Sequence, residues 1–222
     1  MDKQAQIRRR QMDRALRWSL LLFFGFLVVT QQVLTNGPLV SYDKEINSQP
    51  KPQFEGLAGF ILRRLDDLGL RGLTAVVLLI AASFIAYKFK TWRPLNLAMI
   101  SLLSLNLVVG TFKVVLGRTK PRDGFDLLHA GGMSYPSGHA SNAVLSWGIL
   151  AYLIYRYAKV DRYQGRLASA GVVLISLTVC VVSLIRHTHW FSDLLGGLFV
   201  GSALLVAVIA IDRFVPSKSQ LH

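Results

Sequence analysis

The chain has 222 residues, 52% of them hydrophobic, and a formal net charge of +13. Its Lys and Arg residues are segregated between long apolar runs, with no aromatic-interleaved basic patch and no zinc spacing, which excludes a nucleic-acid-binding module. The composition is that of an all-α polytopic membrane protein, because about 20 mostly apolar residues suffice to cross ~30 Å of hydrocarbon.

Residues 1–17 form a basic N-terminus carrying Lys3, Arg8, Arg9, Arg10, Arg14 and Arg17. The apolar run over 18–33 is long for a signal-peptide core, and Gln31-Gln32-Val33-Leu34 offers no small-residue cleavage site, so an uncleaved anchor is expected over 18–34. Residues 35–54 read as a polar linker, with Asn36-Gly37-Pro38 and Pro50-Lys51-Pro52 as turn signals. From 55 to 70, Leu57, Phe60, Ile61, Leu65 and Leu68 recur at spacings of three and four. Arg63, Arg64, Asp66 and Asp67 take much of the remaining surface, so this stretch reads as an amphipathic helix in the membrane interface with a solvated charged face.

Further spans are expected over about 72–87, 95–116, 140–157, 167–185 and 190–211, giving six in one membrane domain over 18–212, followed by a short tail over 213–222. The lone Cys180 lies inside an apolar run, where it forms no intramolecular disulfide and reads as a small packing residue. Gly197 and Gly201 form a small-xxx-small pair that reads as packing within the chain; the sequence is silent on oligomeric state. Six spans put both termini on one side, which then collects fifteen of the 25 basic residues, Lys159 and Lys218 among them. The positive-inside rule makes that side cytoplasmic, with a bacterial cytoplasmic membrane as the expected setting. Lys113, Arg118, Lys120, Arg122 and Arg186 crowd the outward loops against that rule, and their excess charge reads as an anion site.

Lys113 sits near the end of a span, where it either snorkels to the surface or meets an anion. Arg118, Lys120 and Arg122 lie within ten residues of it, and a bound anion would relieve the repulsion among all four; guanidinium and ammonium both suit phosphate. Tyr135-Pro136-Ser137-Gly138-His139 then enters the fourth span. Ser137 and Gly138 place backbone N–H groups at the positive end of a helix dipole, where phosphate binds readily, although Ser137 also reads as a plain N-cap. His139 adds a group that titrates near neutrality. In the third cluster His189 and Asp193 are four apart, hence on one face if helical. A carboxylate on one ring nitrogen fixes the tautomer and leaves the other free to attack; a structural ion pair is the alternative. His187 splays away from His189 on a helix, and no carboxylate cluster points to a metal, so neither metal nor cofactor is expected. Cations, a helix N-terminus, two histidines and a carboxylate meet the needs of phosphoryl transfer without a metal.

The order and spacing of these clusters resemble the type 2 phosphatidic acid phosphatase superfamily of integral membrane lipid phosphatases. Its signatures are Lys, six residues, Arg-Pro; then Pro-Ser-Gly-His; then Ser-Arg, five residues, His, three residues, Asp. The resemblance implies that His189 is the nucleophile forming a phosphohistidine, that Asp193 orients it, and that His139 is the acid for the leaving group. It implies that Lys113, Ser137 and the Gly138 amide hold phosphate, and that the partner is a phosphorylated lipid in the bilayer. Two positions depart from the pattern: Lys120 and Ser183 stand where the signatures have arginine. Lysine keeps the charge but loses the bidentate fork, and serine keeps neither. Arg186, one turn from Ser183, is the expected substitute, with help from Arg118 or Arg122. A phosphotransferase and a weakened anionic-lipid binder are the alternatives to a phosphatase.

Overall fold

The computed structural model describes residues 3–158 and 160–215. Lys159 and Lys218, counted among the expected cytoplasmic charges, lie outside them, as does the tail from residue 216. Eight α-helices carry the described chain: α1 Lys3–Leu34, α2 Pro38–Ser48, α3 Gly56–Asp66, α4 Arg71–Lys88, α5 Arg93–Leu116, α6 Gly138–Tyr157, α7 Arg162–Ile185 and α8 Phe191–Phe214. No strand occurs among the described residues.

Five of these helices, α1, α4, α5, α7 and α8, are long and apolar enough to cross a bilayer. Their outer faces carry exposed side chains such as Leu20, Phe24, Ile80, Phe84, Leu107 and Leu174, while Phe26, Leu78, Leu105 and Val200 point inward and form the core. The sixth expected span, α6, falls outside that set, and its position gives the reason. It is packed against α4, α5, α7 and α8, and it buries Ser141, Asn142 and Ser146 along with its apolar residues. A helix screened by its neighbours is not required to present an apolar surface.

Two local readings, of the stretch after the first span and of the charged face of α3, need correction. The stretch after the first span is not a plain linker: Pro38 opens α2, a position where its missing N–H costs nothing, and Val40 and Asp43 face inward. The basic N-terminal segment continues the first span as one helix, as the helix propensity of its Arg, Gln and Met residues permits. The charged face of α3 is only partly solvated, because Arg63 and Arg64 are exposed but Asp66 is 4% exposed.

The tightest seam runs between α6 and α8. A Cβ at Gly197 would sit 2.6 Å from the Ser137 carbonyl oxygen, and one at Gly201 would sit 2.8 Å from that of Ser141. The small-residue pair thus packs within the chain. At one end of the bundle, buried Asp212 of α8 accepts hydrogen bonds from Arg93 Nε at 2.6 Å, from Tyr152 Oη at 2.6 Å and from Arg156. Gly201→Val is expected to lower the midpoint of thermal unfolding in detergent by several degrees, since overpacking costs about 1–3 kcal/mol. Gly171→Val, where nothing lies within 4 Å of the added Cβ, should leave it unchanged or higher.

Candidate active site

The other end of the bundle gathers the three sequence clusters. His139 stands on the first turn of α6, and His189 lies in the turn between α7 and α8. Their ring centroids are 6.0 Å apart. His189 does not share a helix face with Asp193, as expected from the four-residue spacing, because α8 begins only at Phe191. Instead Asp193 reaches back from the first turn of α8 as a capping carboxylate and accepts the Trp190 N–H at 2.9 Å. The same oxygen, Oδ2, accepts the Ser134 hydroxyl and lies 3.4 Å from His189 Nδ1. A carboxylate on Nδ1 leaves Nε2 as the free ring nitrogen.

The second oxygen of Asp193 is taken by Arg118, whose side chain has no exposed surface. Its Nη1 donates to Asp193 Oδ1 at 2.8 Å and Ser192 Oγ at 2.6 Å. Its Nη2 donates to Asp43 Oδ2 at 2.8 Å and Asp126 Oδ2 at 2.7 Å, and its Nε to Asp126 Oδ1 at 2.8 Å. A guanidinium has five N–H donors. All five are engaged here, so the expectation that Arg118 assists phosphate binding is corrected: it is an internal tie. Asp43, brought in by α2, also accepts the Ser192 N–H at 2.8 Å. Burial pushes the Asp43 carboxyl above its usual range, with Ser192 and Arg118 pulling it back.

The remaining expected ligands divide. Lys113, half-buried in the last turn of α5, donates to the Met133 carbonyl, and its Cε would lie 3.8 Å from a Cβ at Gly138. It therefore stands beside the N-terminus of α6, where the Gly138 N–H is an orphan donor. Ser137 takes the capping role, its Oγ accepting the Ala140 N–H at 3.3 Å while its own N–H donates to the Asp193 carbonyl at 2.9 Å. Lys120 and Lys113 both lie near enough to His139 to act on its charge. Arg122 is brought to the surface instead, its side chain 60% exposed and its nearest carboxylate, Asp123, 4.0 Å away.

Around the position of the missing arginine, Ser183 Oγ donates to Asp66 Oδ1 at 2.9 Å and Arg186 is ion-paired with Asp66 Oδ2. Asp66 is close enough to His139 to act on its charge. Beneath it, the 3₁₀ turn Asp67–Gly69 presses on α6: a Cβ at Gly69 would sit 2.6 Å from the His139 carbonyl oxygen, and Trp147 Nε1 donates to the Leu68 carbonyl at 2.8 Å. His187 turns to the rim, its Nδ1 2.7 Å from Asn47 Oδ1, and burial with nearby Lys51 holds its pKa below the ordinary value. Tyr135, stacked on Phe26, lies 2.7 Å from Thr30 Oγ1 and ties the loop before α6 to α1; burial pushes its phenol well above the usual range. Asp43, Asp66, Asp126, Ser134 and Ser192 were not among the expected site residues.

A family model described as the PAP2 superfamily matches residues 68–215. Phosphatidylglycerophosphatase B of Bacillus subtilis (strain 168) is 24% identical over 193 residues, covering 86% of this chain and 93% of the relative. A crystal structure of a transmembrane PAP2-type phosphatidylglycerolphosphate phosphatase from Bacillus subtilis superposes with a TM-score of 0.79 at 22% identity, covering 90% of this chain and 98% of that one. It shares the fold.

Arg118→Lys is expected to lower the thermal midpoint sharply, because three ammonium donors replace a five-donor fork, and breaking a buried ion pair costs about 3–5 kcal/mol. Arg122→Lys should leave the midpoint unchanged. Equal midpoints for the two variants would remove the central role given to Arg118.

Proposed function

The chain belongs to the PAP2 superfamily, and from that membership we propose that it is an integral membrane lipid phosphatase acting through His139 and His189. The observation that carries the reading is the pair of rings 6.0 Å apart, with Asp193 on Nδ1 of His189 and the N-terminus of α6 beside them. His189 Nε2 attacks phosphorus as the bond to the lipid oxygen breaks, and His139 gives its proton to that oxygen. Water then attacks the phosphohistidine, His139 takes a proton from it, and the P–N bond breaks to release phosphate. Lys113, Lys120, the Ser137 hydroxyl and the Gly138 amide neutralise the transferring oxygens, which matters because phosphate monoesters hydrolyse so slowly that acid catalysis alone is insufficient. Arg186 is the substitute for the absent arginine, held toward the site by Asp66.

In this reading α6 is the sixth spanning helix, the termini are cytoplasmic and the site is extracytoplasmic. Helix α3 lies in the interface, with Leu57, Phe60 and Ile61 exposed. Among polyprenyl diphosphate, phosphatidate and phosphatidylglycerophosphate, the name of the Bacillus relative favours the last.

Purified protein in detergent should release phosphate from one of these lipids, with turnover persisting in chelator. His189→Ala should abolish release and the acid-labile phosphoenzyme together; retained activity would falsify the mechanism. His139→Ala should lower kcat about 10²–10⁴-fold. Comparing water with lipid acceptors separates hydrolysis from phosphotransfer.

Arg186→Ala should lower turnover while leaving the fold intact, and wild-type rates would sink its role as substitute. Gly69→Ala should lower kcat without touching a reacting group, by displacing the His139 backbone.

A further inference from the structure

A groove of about 910 Å³ runs between α6, α7 and α8. It starts at Val144 and Leu198 and ends at Arg162, Arg166 and Arg213. It is separate from the histidine pair. Ala140, Cys180 and Leu194 pack with Leu184 and Leu198 into their own apolar cluster across its upper end, and Ala140 and Leu194 directly follow His139 and Asp193 in sequence. With a rise of 1.5 Å per residue, the 20-residue α6 separates His139 from the α6–α7 turn by about 30 Å. The three arginines thus stand at the opposite face of the bilayer from the phosphate site.

These arginines have charge to spare. None of them makes an ion pair among the described residues, and the nearby carboxylates are engaged elsewhere. Asp161 caps α7 through the Gln164 N–H, and Asp212 is held by Arg93 and Arg156. The Arg213 guanidinium lies 5.4 Å from the centre of the Tyr152 ring. An apolar trough of this size that ends in unpaired guanidinium groups complements a molecule with a long apolar tail and an anionic head.

We propose that this groove is a second lipid site, taking an anionic phospholipid from the leaflet opposite the active site. Its phosphate sits among Arg162, Arg166 and Arg213, and an acyl chain lies along the trough toward Val144. The site depends on the six helices spanning the bilayer; its occupancy is measured without turnover, and only the two activity readouts below rest on the phosphatase reading.

The test is native mass spectrometry of the full chain in detergent with equimolar dioleoyl-phosphatidylserine and dioleoyl-phosphatidylcholine. Wild type is expected to retain one phosphatidylserine with a preference of at least about tenfold, as three arginines at a membrane surface favour an anionic headgroup. The triple variant Arg162→Gln, Arg166→Gln, Arg213→Gln should lose that preference while keeping wild-type turnover in phosphatidylcholine vesicles. Ser169→Phe, at an exposed position in the groove wall, should reduce retention of both lipids. Equal retention of the two lipids by wild type, or a preference that survives in the triple variant, overturns the proposal. So does a Ser169→Phe protein that keeps its lipid but slows only on long-chain substrates, which would make the groove a path for the substrate's tail.

Discussion

A guanidinium cut off from solvent is tolerable only when each of its donors has an acceptor and carboxylates counter its charge. Arg118 meets that condition with three carboxylates drawn from three places: Asp43 on α2, Asp126 in the loop after α5, and Asp193 on α8. Much of the candidate site hangs from that arrangement. Asp193, held by Arg118 on one oxygen, uses the other to hold Ser134, the Trp190 amide and the His189 ring. Its backbone carbonyl holds the Ser137 amide and so the start of α6. The two histidines, on separate elements, are registered to each other through one aspartate and the arginine behind it.

The parts legible in the sequence were those whose meaning is local. The 20-residue apolar runs, the helix-entering Pro136-Ser137-Gly138-His139 and the His189–Asp193 spacing each declare themselves within a few residues. Arg118 was visible but misread, because a cation in a basic cluster looks the same whether it faces a ligand or three buried carboxylates. Asp126, eight residues further on, was the one clue to the difference. Asp43 lay in a stretch whose prolines and polar residues masked a short helix, and Asp66 sat on the charged stripe of an amphipathic segment. Their partners are remote in sequence, and no period or motif records such a pairing. Helix α6 shows the converse: enclosed by its neighbours, it is free of the uniform hydropathy that marks the five long apolar helices.

Each end of the bundle buries a carboxylate of α8 against arginine, two at Asp212 and one at Asp193. Asp212 at one end ties α5, α6 and α8 together through Arg93, Arg156 and Tyr152. Asp193 at the other does the same kind of tying, with a histidine added to its partners. The difference between a structural clamp and a candidate catalytic centre is thus small in composition. It lies in the ring nitrogen that Asp193 leaves free and in the second histidine facing it. Asp66 shows the same economy of parts, collecting both the Ser183 hydroxyl and the Arg186 guanidinium.

The ties made by Arg118 also set an order of events during synthesis. Asp43 and Ser192 are 149 residues apart, and Arg118 and Asp193 are 75 apart. Asp43 and Arg118 leave the ribosome well before Asp193 and Ser192 exist, and chains form their structure N-terminal part first. Until α8 is made and inserted, the guanidinium lacks one of its three carboxylates and the carboxylate of Asp43 lacks the Ser192 amide. The last helix is therefore the keystone of assembly. A ribosome stalled before it would leave a membrane-embedded bundle in which the Arg118 Nη1 donors and the Asp43 carboxylate lack their partners on α8, a form well suited to recognition by quality-control proteases.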